Sequence, residues 1–386
     1  MIITIINQHT NNFGDEAAGI SLIQTLLKKY DDILINIIYN GNGTIHLENE
    51  KVIHRVDYKL KNMGYFNILF KLFFHKFSGN EMMKKYDALM KESDYVIISP
   101  CGANIGIYKD WRFLIRVLFA IFNGKKPIFY LNTIGNSGNF IFDTMAKYAL
   151  KNSIVYVREQ ASQSYLLKNK ISCELGVDTA FLFDDLKTIR IEKNRIAFIV
   201  TDVTGHKNFK GKKGIEIIQK TILPHLCDFA KKKNMVIHII PHLNTIEEQY
   251  FIDSVIKLMK EKFMFYDVIK ENVETVYDYY ENIAKSYFVV GMRYHAVVLG
   301  AKSNTPFISF AYENKMVEVS NYTNMKEYCI RLYNDSDIKL FNSTGLKLFE
   351  AIDNNNSLIR KNLKQQNQKL MKLAKLPLKE ISNVKK

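Results

Sequence analysis

Short apolar runs rich in isoleucine and valine alternate, almost from end to end, with longer stretches whose apolar residues return every three or four positions. The short runs read as buried strands and the 3.6-residue period as amphipathic helices. In the first half, strands are predicted at 2–6, 33–38, 95–99, 127–131 and 154–157, and helices at 15–29, 81–91, 111–122, 140–150 and 160–167. A charged, apolar-poor stretch at 184–195 interrupts the alternation. It resumes with strands at 196–200, 236–240, 287–290 and 307–310, and helices at 214–232, 246–260, 273–285 and 295–302.

Strand and helix in alternation are the mark of parallel βαβ units, so the fold class is α/β. The expected architecture is two Rossmann-like, doubly wound domains facing a central cleft, spanning 1–185 and 186–345, followed by a C-terminal helix and basic tail at 346–386. No repeat of 20 to 50 residues is present, which excludes solenoids and propellers.

Composition sharpens this picture in three places. With 47% hydrophobic and 12% aromatic residues, the 386-residue chain has ample material for two packed cores. No apolar run approaches the roughly 18 residues of a spanning helix, and no leader pattern precedes the first strand, so a cytoplasmic protein is expected. Cys101, Cys173, Cys227 and Cys329 form no CxxC pair, and no HxH, HxxxH or carboxylate ladder occurs, so neither disulfides nor a metal site are expected.

The charge of +15 is unevenly spread: residues 355–386 hold nine Lys/Arg against the single acid Glu380. A basic end on a moderately basic body, without a nucleic-acid-binding motif, points away from nucleic acid and towards an anionic small substrate or an anionic membrane surface.

In open parallel sheets, ligands bind beyond the carboxyl ends of strands, so the residues at those turns carry the candidate chemistry. The turn GMRYH at 291–295 closes a strand and opens a helix, whose free N–H groups, with Arg293 as a planar fork and His295 as a proton carrier, form an anion site. The same pattern is also met if Arg293 pairs with an acidic neighbour and His295 caps its own helix. His242 likewise follows a strand, whereas His238 inside that strand reads as a satisfied core histidine. Asp15 and Glu16 open the first helix after Gly14, where acids are favoured in any case. His206 and Lys207 lie in TDVTGHKNFKGKKG, which matches no Walker or dinucleotide spacing and reads as a solvated loop.

The segment GMRYHAVVLGAKSNTPFISFAYENK resembles the closing signature of the polysaccharide pyruvyl transferase family: a GMRxH turn, a helix, a Pro-led strand at Pro306, and a YxxK element in Tyr312 and Lys315. NNFGDEAAGISLIQTLL from Asn11, VREQASQSYL from Val157 and VDTAF at 177–181 resemble three further family elements in the same order. The chain departs from the family at SPCGANIG, where a run of glycines is usual and only Gly102 and Gly106 stand here.

The resemblance implies a GT-B-like fold and transfer of a pyruvyl group from phosphoenolpyruvate to two hydroxyls of a cell-surface saccharide or its lipid-linked precursor, with no cofactor. Arg293 and His295 would be catalytic. Arg158, His242, Gly291, Tyr312 and Lys315 would bind the donor, and Gly14, Asp15, Glu16, Gly102 and Asn104 would contact substrate from the first domain. A nucleotide-sugar glycosyltransferase and an inactive saccharide-binding homologue are the alternatives.

Three segments are candidates for peripheral contact with the inner face of the plasma membrane. They are the basic amphipathic pattern at 65–77, the aromatic 111–122 helix, and the tail with Leu363, Leu370 and Leu373 at helical spacing; the two helices are equally met by burial against a sheet, and the tail by a frayed end.

Overall fold

The computed structural model describes residues 1–58, 81–186, 189–209, 211 and 213–382, so the amphipathic pattern at 65–77 lies outside the described residues. The chain divides into two compact units, one of Met1–Thr10, Asp15–Phe183 and Leu370–Lys386, the other of Asn11–Gly14 and Asp184–Lys369.

The first unit is built on a seven-stranded sheet in the order β3-β2-β1-β4-β5-β6-β7, every pairing parallel. Its strands are β1 (Ile2–Gln8), β2 (Leu34–Tyr39), β3 (Val52–His54), β4 (Tyr95–Ile98), β5 (Ile128–Asn132), β6 (Ile154–Val157) and β7 (Glu174–Leu175). The order reverses between β1 and β4, the switch point at which doubly wound sheets bind ligands. Both faces of the inner strands are covered, which is why they read as unbroken apolar runs.

The Trp111–Phe122 helix is a core element and not a membrane face. Residues Phe113, Leu114, Ile115, Val117, Leu118, Phe119 and Ala120 are all buried. Arg116 among them is buried as well, its Nη1 donating to Asn7 Oδ1 at 2.9 Å and Asn40 Oδ1 at 2.6 Å. A cation in an apolar helix is here a buried polar anchor at the carboxyl ends of β1 and β2.

The second unit repeats the plan with β8 (Glu192–Ile199), β9 (Val236–Ile239), β10 (Val268–Lys270), β11 (Ser286–Gly291), β12 (Phe307–Ala311) and β13 (Cys329–Arg331). The sheet order is β10-β9-β8-β11-β12-β13, again all parallel, and it reverses between β8 and β11. Residues 192–195, assigned by charge to the linker, begin β8. Arg195 is buried there, its Nη2 held by Glu271 at 2.7 Å and Asn282 at 2.7 Å. His238 completes that network through Glu271 Oε1 at 2.6 Å.

The final segment is not a free tail. The Asn356–Ala374 helix bonds the second unit through Asn367 Nδ2 to the carbonyls of Ala301 at 2.8 Å and Lys302 at 3.0 Å. Further on, Tyr30 Oη donates to the Ile381 carbonyl at 2.6 Å and Tyr130 Oη to the Ala374 carbonyl at 3.1 Å within the first unit. Leu363 and Leu370 are buried and only Leu373, 39% exposed, is open to solvent, so the leucine stripe packs on protein and is not offered to lipid. Among the described residues no helix is long and apolar enough to cross a membrane.

Candidate functional site

The turn after β11 stands at the switch point of the second sheet. Gly291 pairs with Ile199 of β8 on one side and with Ser309 of β12 on the other. Arg293 is the N-cap of the Tyr294–Lys302 helix with an extended backbone, so its side chain leaves the helix start while His295 lies in the first turn. His295 is 5% exposed.

Arg293 does pair with an acid, Glu248, through Nη2 and Oε2. The other carboxylate oxygen of Glu248 accepts the backbone N–H groups of His242, at 2.6 Å, and Leu243, at 2.8 Å. One buried carboxylate thus fixes both the β9 turn and the guanidinium. A Thr-x-x-Glu signature at Thr245–Glu248 marked a helix start in the sequence. Thr245 accepts the Glu248 N–H at 3.3 Å as that signature requires, yet the Glu248 side chain serves the turn and Arg293 instead.

His242 is buried, with Nδ1 2.9 Å from Tyr279 Oη, and its ring stacks on that of His295 at 6.3 Å between centroids. Burial drives its pKa well below the ordinary histidine value, and the charges of Arg293, His295 and Lys315 add to the depression. His242 is therefore held as a neutral imidazole, chiefly by its burial. Lys315 lies over the Tyr294 ring at 5.1 Å and pairs with Glu313 at 2.7 Å. Tyr312 precedes that pair, its carbonyl accepting Asn208 Nδ2 at 2.9 Å.

The segment Asn11–Gly14 belongs to the same unit. Asn12 bridges Leu243, the Phe13 N–H donates to the His242 carbonyl at 3.3 Å, and Phe13 stacks on Tyr279 at 5.5 Å. Gly14 then lies flat against His295, and a Cβ at that position would stand 1.9 Å from the His295 Nδ1. Two matched motifs nearly 280 residues apart in sequence therefore meet at one histidine.

The remaining candidates sit in the first unit. Asp15 is half-buried and Glu16 buried in the first turn of the Phe13–Lys29 helix. Asn104 is buried, its amide donating to Cys101 Sγ at 3.1 Å and lying 2.9 Å from His9 Nε2. Asn132 also donates to Cys101 Sγ, at 3.2 Å, and burial pushes that thiol up to about 12. Cys101 consequently points inward as a neutral acceptor. Gly102 is half-buried and its carbonyl takes the Asn104 N–H at 2.9 Å. Gly106 has φ +154, with a would-be Cβ 3.2 Å from the Gly135 nitrogen, so this glycine of the SPCGANIG turn admits no side chain. Arg158 is fully buried against Asp178 of the VDTAF element at 2.5 Å and donates from Nε to Thr133 Oγ1 at 3.1 Å. Its charge is matched by the Asp178 carboxylate.

Sequence reasoning missed Glu248, Tyr279 and Phe13. Only Glu248 carried a local signal.

Two results follow from this geometry. Glu248→Gln keeps an acceptor for the β9 turn but removes the charge that tethers Arg293. Steady-state kinetics should show kcat/KM lowered about tenfold, mainly through KM. Stability should also fall with acidity. His242 has a folded pKa below 6.5, so its contribution is complete above 6.5 and is lost as pH drops below that value, when the unfolded chain takes the proton first. His206 and His225, also lowered by burial, act in the same direction. Urea unfolding at about pH 7 and about pH 5 should show the loss, reduced in His242→Asn. Glu271, held down to about 2 chiefly by the hydrogen bond from His238, adds its own loss only from 4.5 downwards.

In fold, the chain is similar to the UDP-GlcNAc 2-epimerase from Neisseria meningitidis bound to UDP-GlcNAc (TM-score 0.54, 11% identity, 99% of each chain covered). It is similar also to another UDP-N-acetylglucosamine 2-epimerase (TM-score 0.59, 13% identity, 100% of this chain and 97% of that one). A third likeness is to the trehalose-6-phosphate synthase OtsA (TM-score 0.55, 7% identity, 99% of each chain). At such identities the likeness establishes the fold alone, which is GT-B-like. No curated protein matches the sequence. The profile of the polysaccharide pyruvyl transferase family matches residues 12–314, which takes in the Gly14 turn, Arg158, Asp178 and the whole Gly291–His295 turn. The chain belongs to the polysaccharide pyruvyl transferase family.

Proposed function

We propose that the protein moves a pyruvyl group from phosphoenolpyruvate to two hydroxyls of a saccharide, forming a cyclic ketal and releasing phosphate. The observation that carries this reading is the gathering of Arg293, His295 and the buried His242 on neighbouring strand-end turns of one sheet, with Lys315 over the Tyr294 ring. A ligand with both phosphate and carboxylate would meet a planar fork in Arg293 and a second cation in Lys315.

The chemistry divides among these groups. One hydroxyl adds to C2 of the enol phosphate, giving up its proton to a base while a proton is delivered to C3, so that no net proton is gained or lost; the second hydroxyl then displaces phosphate from C2 and its proton leaves with the phosphate. His295 is placed to carry protons. Arg293 binds the phosphate or carboxylate as a fork, and Lys315 adds a second cation against the departing phosphate. The first unit would take the acceptor, with Asp15, Glu16 and Gly102 at or near its switch point, and a lipid-linked saccharide would bring the protein to the cytoplasmic membrane face.

A nucleotide-sugar transferase is the second reading, favoured by the fold shared with enzymes described with UDP-GlcNAc. Thermal unfolding separates the two. Phosphoenolpyruvate should raise Tm and UDP-sugars leave it unchanged, whereas the reverse pattern would replace the pyruvyl donor with a sugar nucleotide.

A further inference from the structure

β8, β11 and β12 are neighbours, so the loops that follow them leave the second sheet side by side at its carboxyl end. Two of these loops carry Arg293 with His295 and Tyr312 with Lys315. The third, after β8, read as a solvated loop in the sequence, yet it is folded onto its neighbours. Phe209 is buried and anchors it. The Phe209 N–H donates to the His206 carbonyl at 2.8 Å and the His206 N–H to the Val203 carbonyl at 3.1 Å, closing a turn that sets the imidazole. That ring stands edge-on to Tyr312, 5.2 Å between centroids, beside the Asn208 bond to the Tyr312 carbonyl.

The Asn208 N–H donates to His206 Nδ1 across a long 3.4 Å bond. With Nδ1 accepting, the proton of the neutral ring resides on Nε2. Burial lowers the His206 pKa; Glu313 opposes this, and Lys207 and Lys315 reinforce it. The ring is thus an uncharged N–H donor near the Lys315–Glu313 ion pair.

We propose that His206 is a binding residue for the phosphate group of the donor, giving its Nε2–H to a phosphate oxygen beside Lys315. A neutral donor there adds a directional bond without adding another positive charge to Arg293 and Lys315. The inference takes the name of the ligand from the pyruvyl transfer reading, but its claim concerns phosphate chemistry.

Calorimetric titration of the full chain with phosphoenolpyruvate, inorganic phosphate and UDP tests it. His206→Ala should weaken phosphoenolpyruvate about tenfold or more, and His206→Gln, whose amide reaches a similar position, should recover most of the loss. Unaltered affinity in His206→Ala overturns the inference and leaves pyruvyl transfer standing. If the wild type takes UDP and not phosphoenolpyruvate, and His206→Ala weakens UDP, the phosphate contact stands and the pyruvyl donor falls. Binding of none of the three by wild type overturns both. Should the alanine variant unfold, the His206 ring resonance of wild type, assigned with His206→Gln, decides: phosphoenolpyruvate must shift it, and an unmoved signal contradicts the contact.

Discussion

Arg293→Ala is expected to lower kcat/KM for phosphate release from phosphoenolpyruvate about 10²–10³-fold, the scale of removing one preorganised group from a developing charge. The side chain is 20% exposed, paired with Glu248 through Nη2, and set at a helix N-cap. Arg293→Lys keeps the charge but not the planar fork and should recover only part of the loss. Stability should suffer less than activity. Glu248 retains its two backbone donors at 2.6 and 2.8 Å, so the deficit stays below the about 3–5 kcal/mol of a buried pair broken outright. Phosphate-release kinetics beside urea unfolding of the same variants check both halves.

Gly14→Ala should be as damaging although it adds a single carbon. Its Cβ would lie 1.9, 2.2 and 2.5 Å from three atoms of His295, so either the imidazole turns away or the Asn11–Gly14 segment lifts from the second unit. Displacing a catalytic group by about 1 Å costs about 10²-fold in rate, and overpacking a fitted contact costs about 1–3 kcal/mol. Gly135→Ala is the control, since a Cβ there meets nothing within 4 Å. Kinetics and urea unfolding of the pair should show a large effect at 14 and almost none at 135.

The physics of Gly14 also shows where sequence reading reached its limit. The NFGDE turn and the GMRYH turn were each legible from strand-to-helix transitions and from the family resemblance. That they meet was not, because no local pattern records which distant side chain a glycine makes room for. The apolar period placed the inner strands and their helices within a few residues. It passed over β3, β7, β10 and β13, which are two or three residues long and defined by the neighbour they pair with. The role of Arg116 is illegible for a related reason. Its helix reads either as a basic amphipathic face or as one packed on a sheet, and only the side-chain amide oxygens of Asn7 and Asn40, brought from β1 and the end of β2, show the cation as a buried anchor. Arg158 and Asp178 were both singled out, but as separate motifs, and the ion pair between them has no trace in spacing. Glu248 stands three residues after the Thr245 cap, a spacing that signals a helix start and says nothing of the β9 turn and Arg293, which its two oxygens hold.

The central claim is that this chain forms a ketal from phosphoenolpyruvate. Following wild-type protein with phosphoenolpyruvate and cell-surface saccharide precursors by phosphorus and proton NMR tests it most directly. Inorganic phosphate should appear in step with a new ketal methyl signal on the saccharide, and both should vanish in His295→Ala. Phosphoenolpyruvate left intact across the acceptors while a UDP-sugar is consumed would contradict it.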